Sequence, residues 1–269
     1  MNSPASDQLK VLVVDDDELN QRMMRLILTR EGHDVHIAVN GLDAINAVTA
    51  HEFDIILMDL QMPIMDGVEA SRRIRETVNG GKNTYIVALT ASYLPEKGHE
   101  LFEAGIDNYI AKPFDVDHLR QMLDYGLDRR KSKRMPVSPP IDNAASAVPQ
   151  GFDAAAGMKM VGGDEETFRE LLADFVDKLP EKTNGIEKCL AEKDMDGLSR
   201  IAHNIKGVSS NLGALQLYEY AARLEKSASE GYTSNSLERV VREIKEISRK
   251  FIVDASNFLA GTQNEINVS

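Results

Sequence analysis

The chain has 269 residues, of which 42% are hydrophobic and 28% charged, a globular composition long enough for two domains. Its net charge is −12, with 16 basic and 22 acidic residues in 1–134 and 15 and 21 in 135–269, so neither half is a basic nucleic-acid-binding module. The sequence has no apolar run of the roughly 20 residues that a membrane-spanning helix needs, and its start has no apolar signal region. The one cysteine, Cys189, cannot form an internal disulfide, and we interpret it as a small buried core residue. These features predict a cytoplasmic protein.

The first half of the chain alternates short apolar runs with helical patterns. Five strands are predicted in KVLVV, DVHIAV, FDIILM, TYIVAL and NYIAK. Five helices are predicted in DELNQRMMRLILTREG, GLDAINAVTAHE, VEASRRIRETV, LPEKGHELFEAG and DVDHLRQMLDYGLDRR, with Gly32 and Gly105 as C-terminal stops. This alternation predicts an α/β domain over residues 1–130, with a doubly wound, five-stranded parallel sheet covered by helices on both faces.

The second half has a different pattern. Residues 131–150, KSKRMPVSPPIDNAASAVPQ, hold four of the nine prolines and predict a flexible linker. Residues 151–269 then show only helical periodicity, in long amphipathic segments with short connections. We therefore predict an all-α domain, an antiparallel four-helix bundle, whose first long helix is bent or interrupted at Pro180 and Gly185.

Polar side chains follow four of the predicted strands. Asp15 and Asp16 follow the first strand and Asp59 ends the third, while Thr90 ends the fourth and Lys112 follows the fifth. In an open parallel sheet, ligands bind beyond the carboxyl ends of the strands, so we expect these side chains to lie close together. Clustered carboxylates favour a bound cation, and oxygen ligands of this kind suit Mg²⁺. A carboxylate can attack a phosphoryl group while Mg²⁺ and Lys112 neutralise charge and Thr90 donates a hydrogen bond.

Residues 9–130 resemble the receiver domain of two-component response regulators along their whole length. The resemblance rests on VVDDDELN, MDLQMPIMDG, ALTA and YIAKPF, and it implies a CheY-like, flavodoxin-like fold. It implies that Asp59 is the phosphoacceptor. It also implies that Asp16, Asp59 and the backbone carbonyl of Gln61 bind Mg²⁺, with Asp15 acting through water.

The same resemblance assigns roles to three further residues. Thr90 and Lys112 would sense the phosphoryl group, and Tyr109, three residues before Lys112, matches the switch aromatic of the family. The alternative for Tyr109 is a half-exposed strand tyrosine without a switching role. The wording DLQMPIMDG is most similar to that of receivers fused to hybrid sensor kinases.

In the second half, AHNIKGVSSNLG carries a histidine on an amphipathic helix. The apolar stripe of this helix comprises Leu198, Ile201, Ile205, Val208 and Leu212. At about 100° per residue, His203 points roughly 180° away from the centre of the stripe, so we expect an exposed imidazole. Lys206 and Gly207 lie on the same face. Because a helical glycine costs about 1 kcal/mol relative to alanine, a bare patch beside the imidazole indicates a compensating function.

This segment resembles the signature of histidine phosphotransfer (HPt) domains, His-x-x-Lys-Gly followed by small residues, and the resemblance covers about residues 151–262. His203 can carry a phosphoryl group on a ring nitrogen, and Lys206 lowers the repulsion around that charge. Gly207 leaves space for the aspartate of another domain, and Ser210 keeps the face small. The five other histidines are interpreted as structural: His33, His36, His51, His99 and His118.

The leading hypothesis is a phosphorelay intermediate, not an enzyme. The sequence has no ATP-binding glycine-rich motif, so a histidine kinase in another chain phosphorylates Asp59, and His203 passes phosphoryl groups to or from a receiver aspartate. The expected partners are histidine kinases and other receiver domains, with neither nucleic acid nor membrane. The linker of about 20 residues spans roughly 25 Å, which also suggests exchange between Asp59 and His203 within one chain.

Three alternatives stay open at this point. The chain can be the C-terminal receiver–HPt portion of a larger hybrid sensor kinase, or a phosphate sink or scaffold without onward transfer. A phosphatase of the haloacid-dehalogenase type would use an aspartyl phosphate too, but it needs a second aspartate where Gln61 stands.

Overall fold

The structure is a computed structural model, and it describes residues 8–76, 84–90, 98–112, 116–132, 151–229 and 234–261. The chain divides into two compact units, Met1–Ala144 and Ala145–Ser269. Of the predicted linker, residues 133–150 lie outside the described part of the chain.

The first unit is a five-stranded parallel sheet with strand order β2-β1-β3-β4-β5. The strands are β1 (Lys10–Val14), β2 (Asp34–Ala38), β3 (Ile55–Asp59), β4 (Tyr85–Thr90) and β5 (Asn108–Ala111). The helices are α1 (Glu18–Arg30), α2 (Gly41–Ala50), α3 (Gly67–Glu76), α4 (Gly98–Glu103) and α5 (Val116–Ser132). The predicted doubly wound α/β fold is confirmed, and the strand order reverses between β1 and β3.

The apolar character of the central strands follows from the burial of both faces of the sheet. Every residue of β3 and β4 is buried, and so is β1 from Val11 to Val14. Gly32 and Gly105 have φ values of 90° and 84°, the left-handed conformation that ends a helix, as predicted. Asp17 caps α1, because its side chain accepts hydrogen bonds from two backbone N–H groups of the first turn.

The described residues of the second unit form helices joined by short connections, with one isolated antiparallel bridge between Phe152 and Ala214. Its helices are α6 (Ala154–Met160), α7 (Glu165–Glu192), α8 (Met195–Asn211), α9 (Leu215–Ser229) and α10 (Ser234–Leu259). Helix α8 packs against α7 and α9, and α10 packs against the same two helices, which closes the predicted four-helix bundle. Among the helices of the described ranges, we find none with the length and apolarity needed to cross a bilayer.

Arg169 ties the start of α7 to the end of α10. Its guanidinium donates hydrogen bonds to the carbonyl oxygens of Phe258, at 3.3 Å, and Leu259. It also lies 5.2 Å from the centre of the Phe258 ring. The rings of Phe152 and Phe168 meet Phe258 edge to face, at 5.9 and 5.7 Å between ring centres. The last turn of α10 is therefore held by both polar and aromatic contacts.

Helix α7 is not interrupted at Pro180 or Gly185, and Cys189 is not buried, whereas a bend at either residue stays a prediction. The helix is continuous although it contains Pro180, whose exposed position lets packing on the opposite side of the helix hold it together. Gly185 does not interrupt the helix either. A Cβ at this position would lie 3.0 Å from Cδ1 of Ile201, so the glycine permits the close approach of α8. Cys189 is half-exposed rather than buried, with its thiol 3.9 Å from the carboxylate of Asp194 in the α7–α8 turn.

Candidate functional site

The carboxyl ends of four strands bring the predicted acidic, hydroxyl and lysine side chains to one edge of the first unit. Asp59 is the last residue of β3 and Thr90 the last of β4, while Asp15 follows β1 and Lys112 follows β5. All four residues are buried, Asp59 to 3% exposure. Ionisable groups are rarely buried without partners, so their mutual contacts decide what the site can do.

The ammonium of Lys112 lies between two carboxylates. Its Nζ is 2.6 Å from Oδ2 of Asp59 and 3.2 Å from Oδ2 of Asp15. Burial alone would lower the pKa of Lys112, but the charges of Asp15 and Asp59 outweigh burial and raise it. Lys112 therefore stays charged, and it supplies one positive charge beside a carboxylate that can act as a nucleophile.

Asp15 is held by the first turn of α1. Its Oδ1 accepts a hydrogen bond from the backbone N–H of Asp17 at 2.9 Å and one from Nδ2 of Asn20 at 3.2 Å. Burial raises the pKa of Asp15 to about 7, a rise that Lys112 opposes and Asp59 increases. Sequence reasoning missed Asn20, although it is the last residue of the motif VVDDDELN.

The loop after β3 fixes the second oxygen of Asp59. Oδ1 accepts a hydrogen bond from the backbone N–H of Gln61 at 3.0 Å. Gly67 begins α3, and its N–H donates to the carbonyl oxygen of Leu60 at 3.1 Å. A Cβ at Gly67 would overlap the backbone oxygen of Asp59, so the chain returns past the nucleophile at a distance that only glycine allows.

The donor set of this edge fits a hard divalent cation. Asp15 and Asp59 each direct a carboxylate oxygen to one point, where the ammonium of Lys112 lies. Asp16 is only half-buried, and the described residues contain no group of three or more His, Cys, Asp or Glu side chains arranged for a metal. Mg²⁺ commonly takes one or two carboxylates and keeps several waters, so the carboxylates of Asp15 and Asp59 are the ligand type that it prefers. Coordination by Asp16 and by the carbonyl of Gln61 stays a prediction.

Tyr109 and Thr90 lie on neighbouring strands, where Tyr109 pairs with Ala88 and Thr90 pairs with Ala111. Tyr109 is 3% exposed and packs in the core with Ala88 and Ile106, so the interpretation as a half-exposed strand tyrosine is wrong. The backbone carbonyl of Thr90 accepts a hydrogen bond from the N–H of Lys112 at 2.6 Å. The backbone thus links two of the predicted phosphoryl-sensing residues, while their sensing roles and that of Tyr109 stay predictions.

The second candidate site lies between α8 and α9. His203 is buried, with 7% exposure, and the expectation of an exposed imidazole is wrong. Nδ1 of His203 lies 2.8 Å from Oε1 of Glu225, and Nζ of Lys206 contacts Oε2 of the same carboxylate. Helical periodicity describes α8 alone. In the structure α9 packs on α8, and Glu225 of α9 contacts His203.

Small residues surround His203 on α8, as the sequence indicated. Gly207 and Ser210 are both buried. The hydroxyl of Ser210 donates a hydrogen bond to the carbonyl oxygen of Gly207 at 2.7 Å, so it turns back onto its own helix. The role of Gly207 in admitting a partner aspartate stays a prediction.

Glu225 is the residue of this site that sequence reasoning missed. Burial alone would raise the pKa of Glu225, but the hydrogen bonds from His203 and Lys206 outweigh burial and lower it. Glu225 is therefore a carboxylate at neutral pH. In the sequence, Glu225 is marked only by its place directly after Leu224, a buried position of α9. A single sequence does not give the register of α9 on α8, so it does not show that Glu225 contacts His203.

Two family models match the chain, the response regulator receiver domain over residues 11–124 and the Hpt domain over residues 170–250. The signal transduction histidine-protein kinase BarA of Shigella flexneri is 26% identical over 261 residues, which cover 95% of this chain and 28% of BarA. The sensor protein GacS of Pseudomonas syringae pv. syringae is 30% identical over 223 residues, 80% of this chain and 24% of GacS. The chain thus spans about a quarter of the length of these relatives.

Among solved structures, the receiver domain of a sensor histidine kinase from Pseudomonas aeruginosa PAO1 is similar to the first unit. It shows 32% sequence identity and a TM-score of 0.42, and the match covers 45% of this chain and 98% of that domain. That domain has a magnesium ion coordinated in its active site cleft.

Proposed function

Because this chain joins a response regulator receiver domain to an Hpt domain, we propose that it is a phosphorelay intermediate. The observation that carries the proposal is the presence of two buried side chains that can act as nucleophiles, one beside a cation and the other beside an anion. Asp59 contacts the ammonium of Lys112, and His203 contacts the carboxylate of Glu225. An ammonium offsets charge on a phosphorylated carboxylate, and a carboxylate offsets charge on a phosphorylated imidazole.

In the receiver domain, an oxygen of Asp59 attacks the phosphorus of a phosphohistidine on a partner kinase. The P–O bond forms as the P–N bond breaks, and the leaving imidazole keeps the electron pair. Lys112 neutralises part of the phosphoryl charge, and Thr90 and Tyr109 respond to the new group. Asp15, Asp16, Asp59 and the carbonyl of Gln61 would hold Mg²⁺, which supplies further charge neutralisation when bound.

In the Hpt domain, His203 accepts or donates the phosphoryl group. Lys206 is one helical turn away and reduces the repulsion between the phosphoryl oxygens and Glu225. Gly207 leaves room for the aspartate of another receiver. The partners under this proposal are histidine kinases and receiver domains, and the chain transfers phosphoryl groups without binding ATP itself. The low cysteine content supports a reducing, cytoplasmic setting.

A second candidate function is favoured by the relatives. BarA is a histidine kinase and GacS a sensor protein, and the chain matches about a quarter of each. The same two domains would then act within a longer hybrid sensor kinase, and the chemistry at Asp59 and His203 would be unchanged. A phosphate sink or scaffold differs from both, because phosphoryl groups would not leave His203 for another receiver.

Labelling with a small phosphodonor and Mg²⁺ tests the proposal. We expect Asp59→Asn to lose an acid-stable, base-labile label, and His203→Gln to lose an acid-labile label together with transfer to downstream receivers. The controls replace an exposed carboxylate and an exposed histidine, Asp124→Asn and His51→Gln, and both should keep the two labels. Undiminished labelling of Asp59→Asn, or normal transfer by His203→Gln, contradicts the assignment of the corresponding nucleophile.

A further inference from the structure

The geometry points to a second cation site on the first unit, in which His36 and His51 together bind a divalent transition-metal ion of the zinc type. His36 lies on β2, the edge strand of the sheet, and His51 directly follows α2. The inference is independent of the proposed function, because it concerns neither Asp59 nor His203.

A buried aromatic ring supports both imidazoles. Phe53 is 6% exposed, and the centre of its ring lies 5.3 Å from that of His36 and 6.4 Å from that of His51. Both contacts are edge to face. The imidazoles themselves stay accessible, since the side chain of His36 is 36% exposed and His51 is exposed. Two ligands that share a rigid base can take an ion from solution with little loss of conformational freedom.

The spacing of the two imidazoles is close to that of two ligands of one metal. A Zn–N bond of about 2.0–2.1 Å puts the ion about 3.2 Å from the centre of each ring, so two ring centres lie about 5.2 Å apart at a tetrahedral angle. The ring centres of His36 and His51 are 5.7 Å apart, and the rings are tilted by 43° rather than stacked. A small rotation of two accessible side chains therefore brings one nitrogen of each ring within bonding distance of a single ion.

Asp34 places a carboxylate beside this pair. Its Oδ2 lies 3.6 Å from Nε2 of His36. A metal-binding histidine almost always donates its other ring N–H to a carboxylate, a carbonyl or water, which orients the ring and makes it a better ligand. Glu52 adds a second negative charge to this surface, and Lys10, whose ammonium is 5.5 Å from the centre of the Phe53 ring, adds one positive charge. The balance of these charges favours a bound cation.

The ligand type selects the metal. Imidazole suits Zn²⁺, Cu²⁺ and Ni²⁺, whereas Mg²⁺ takes oxygen ligands. Within the described ranges no third His, Cys, Asp or Glu side chain completes the group, so water fills the remaining positions. The ion would join edge strand β2 to the chain that enters β3. Asp59 ends β3, so the length of this strand, about 15 Å, separates the two cation sites.

Calorimetric titration of the chelator-treated full chain with ZnCl₂ tests the inference. We expect a site with a dissociation constant in the micromolar range, and MgCl₂ should not displace the zinc. His36→Gln and His51→Gln should each weaken binding by at least about 10-fold, and Asp34→Asn by about 10-fold. The matched control is His118→Gln, which removes a half-buried histidine from α5 and should bind zinc as the wild type does.

Nuclear magnetic resonance identifies the ligands directly, because zinc should shift the ring signals of His36 and His51 selectively. Circular dichroism shows whether each variant folds, and one folded histidine variant is sufficient for the test. Absence of micromolar binding by the wild type, or unchanged affinity in a folded histidine variant, overturns the inference. Loss of zinc binding in Asp59→Asn overturns it too, because the ion would then lie at the carboxylate edge. Phosphoryl labelling of His51→Gln stays unchanged in either case, so a failure of the proposed function is distinguishable.

Discussion

Asp59 and His203 are both buried; Asp59 contacts a cationic side chain, and His203 contacts an anionic one. Asp59 must be an anion to attack phosphorus, and its contact at 2.6 Å is the ammonium of Lys112. The contact of His203 at 2.8 Å is the carboxylate of Glu225. A buried pair of this kind changes the pKa values of its members as well as the free energy of unfolding.

Replacing Glu225 by glutamine should make the free energy of unfolding depend less on pH in the acid range. Burial opposes ionisation of Glu225, yet the hydrogen bonds from His203 and Lys206 lower its pKa below the ordinary value of 4.5. The unfolded chain therefore binds more protons near that pH, so the stabilisation is fully present above pH 4.5 and is lost as the pH falls through the lowered pKa.

At pH 7 we expect the wild type to exceed Glu225→Gln by about 1.5–3 kcal/mol in the free energy of unfolding, the range for hydrogen bonds to charged groups. Urea denaturation at a series of pH values from 7 down to about 3 measures the difference. It should shrink at the acid end, and a constant difference would show that the charge of Glu225 contributes nothing.

Two glycines of the first unit provide a matched pair of alanine substitutions. A Cβ at Gly67 would overlap the backbone oxygen of Asp59, so Gly67→Ala should cost about 1–3 kcal/mol and weaken labelling of Asp59. A Cβ at Gly126, within α5, would lie 3.7 Å from Leu9, an ordinary contact, so Gly126→Ala should stabilise by up to about 1 kcal/mol. Thermal and urea unfolding compare the two variants, and effects of the same sign would contradict the packing argument.

At the scale of elements, the sheet and its helices could be predicted because their causes are local. Both faces of a parallel sheet are buried, so its strands are apolar runs, and left-handed glycines such as Gly32 mark the helix ends. The rule for the carboxyl ends of strands then predicts that Asp15, Asp59 and Lys112 lie together. This edge of the sheet is the part of the candidate site that the sequence pattern predicted well.

Contacts between helices could not be predicted in the same way. The periodicity of α8 identifies its apolar stripe, but α9 covers the opposite side, and the sequence alone does not give the register of two packed helices. The burial of His203 and the role of Glu225 were missed for this reason. The same limit applies to α7, where contacts with α8 and α10 hold a helix that local propensity would break at Pro180.

A substitution at Pro180 measures how much the proline destabilises the helix that packing holds together. Proline lacks an N–H and clashes with the preceding turn, and Pro180 is exposed, so its replacement removes little packing. Pro180→Ala should raise the free energy of unfolding by about 1–3 kcal/mol. Urea denaturation measures the change, with an alanine at exposed Glu181 as the control, which should alter stability by less than about 0.5 kcal/mol. A destabilised Pro180→Ala would show that the proline shapes the helix rather than being tolerated in it.

At the scale of the whole molecule, two units with one candidate nucleophile each are joined in one chain. The linker predicted from the sequence over residues 131–150 would, as a flexible coil, give an effective concentration near the millimolar range, well above that of a free partner. The net negative charge of both halves opposes their approach, but salt screens charges that are more than about 10 Å apart. We therefore expect Asp59 and His203 to exchange phosphoryl groups within one chain.

Dilution provides the measurement. The first-order rate of exchange in the wild type should not depend on protein concentration, because both nucleophiles belong to one molecule. A mixture of Asp59→Asn and His203→Gln chains should exchange slowly and in proportion to concentration. If the mixture matches the wild type at low concentration, or if the wild type shows no exchange, the two domains serve separate partners.

The contacts of Arg169 also set an order of assembly for the helical unit. They join positions 89 and 90 residues apart, whereas His203 and Glu225 are separated by 22. Closing a short loop costs less chain entropy than closing a long one, so the α8–α9 hairpin should fold early and the end of α10 should dock last. Pulsed hydrogen exchange during refolding should find amides of α8 and α9 protected before those around Phe258, and simultaneous protection would contradict this order. We therefore expect the C-terminal turns of α10 to open before the α8–α9 pair separates, which would leave the histidine and its carboxylate partner together.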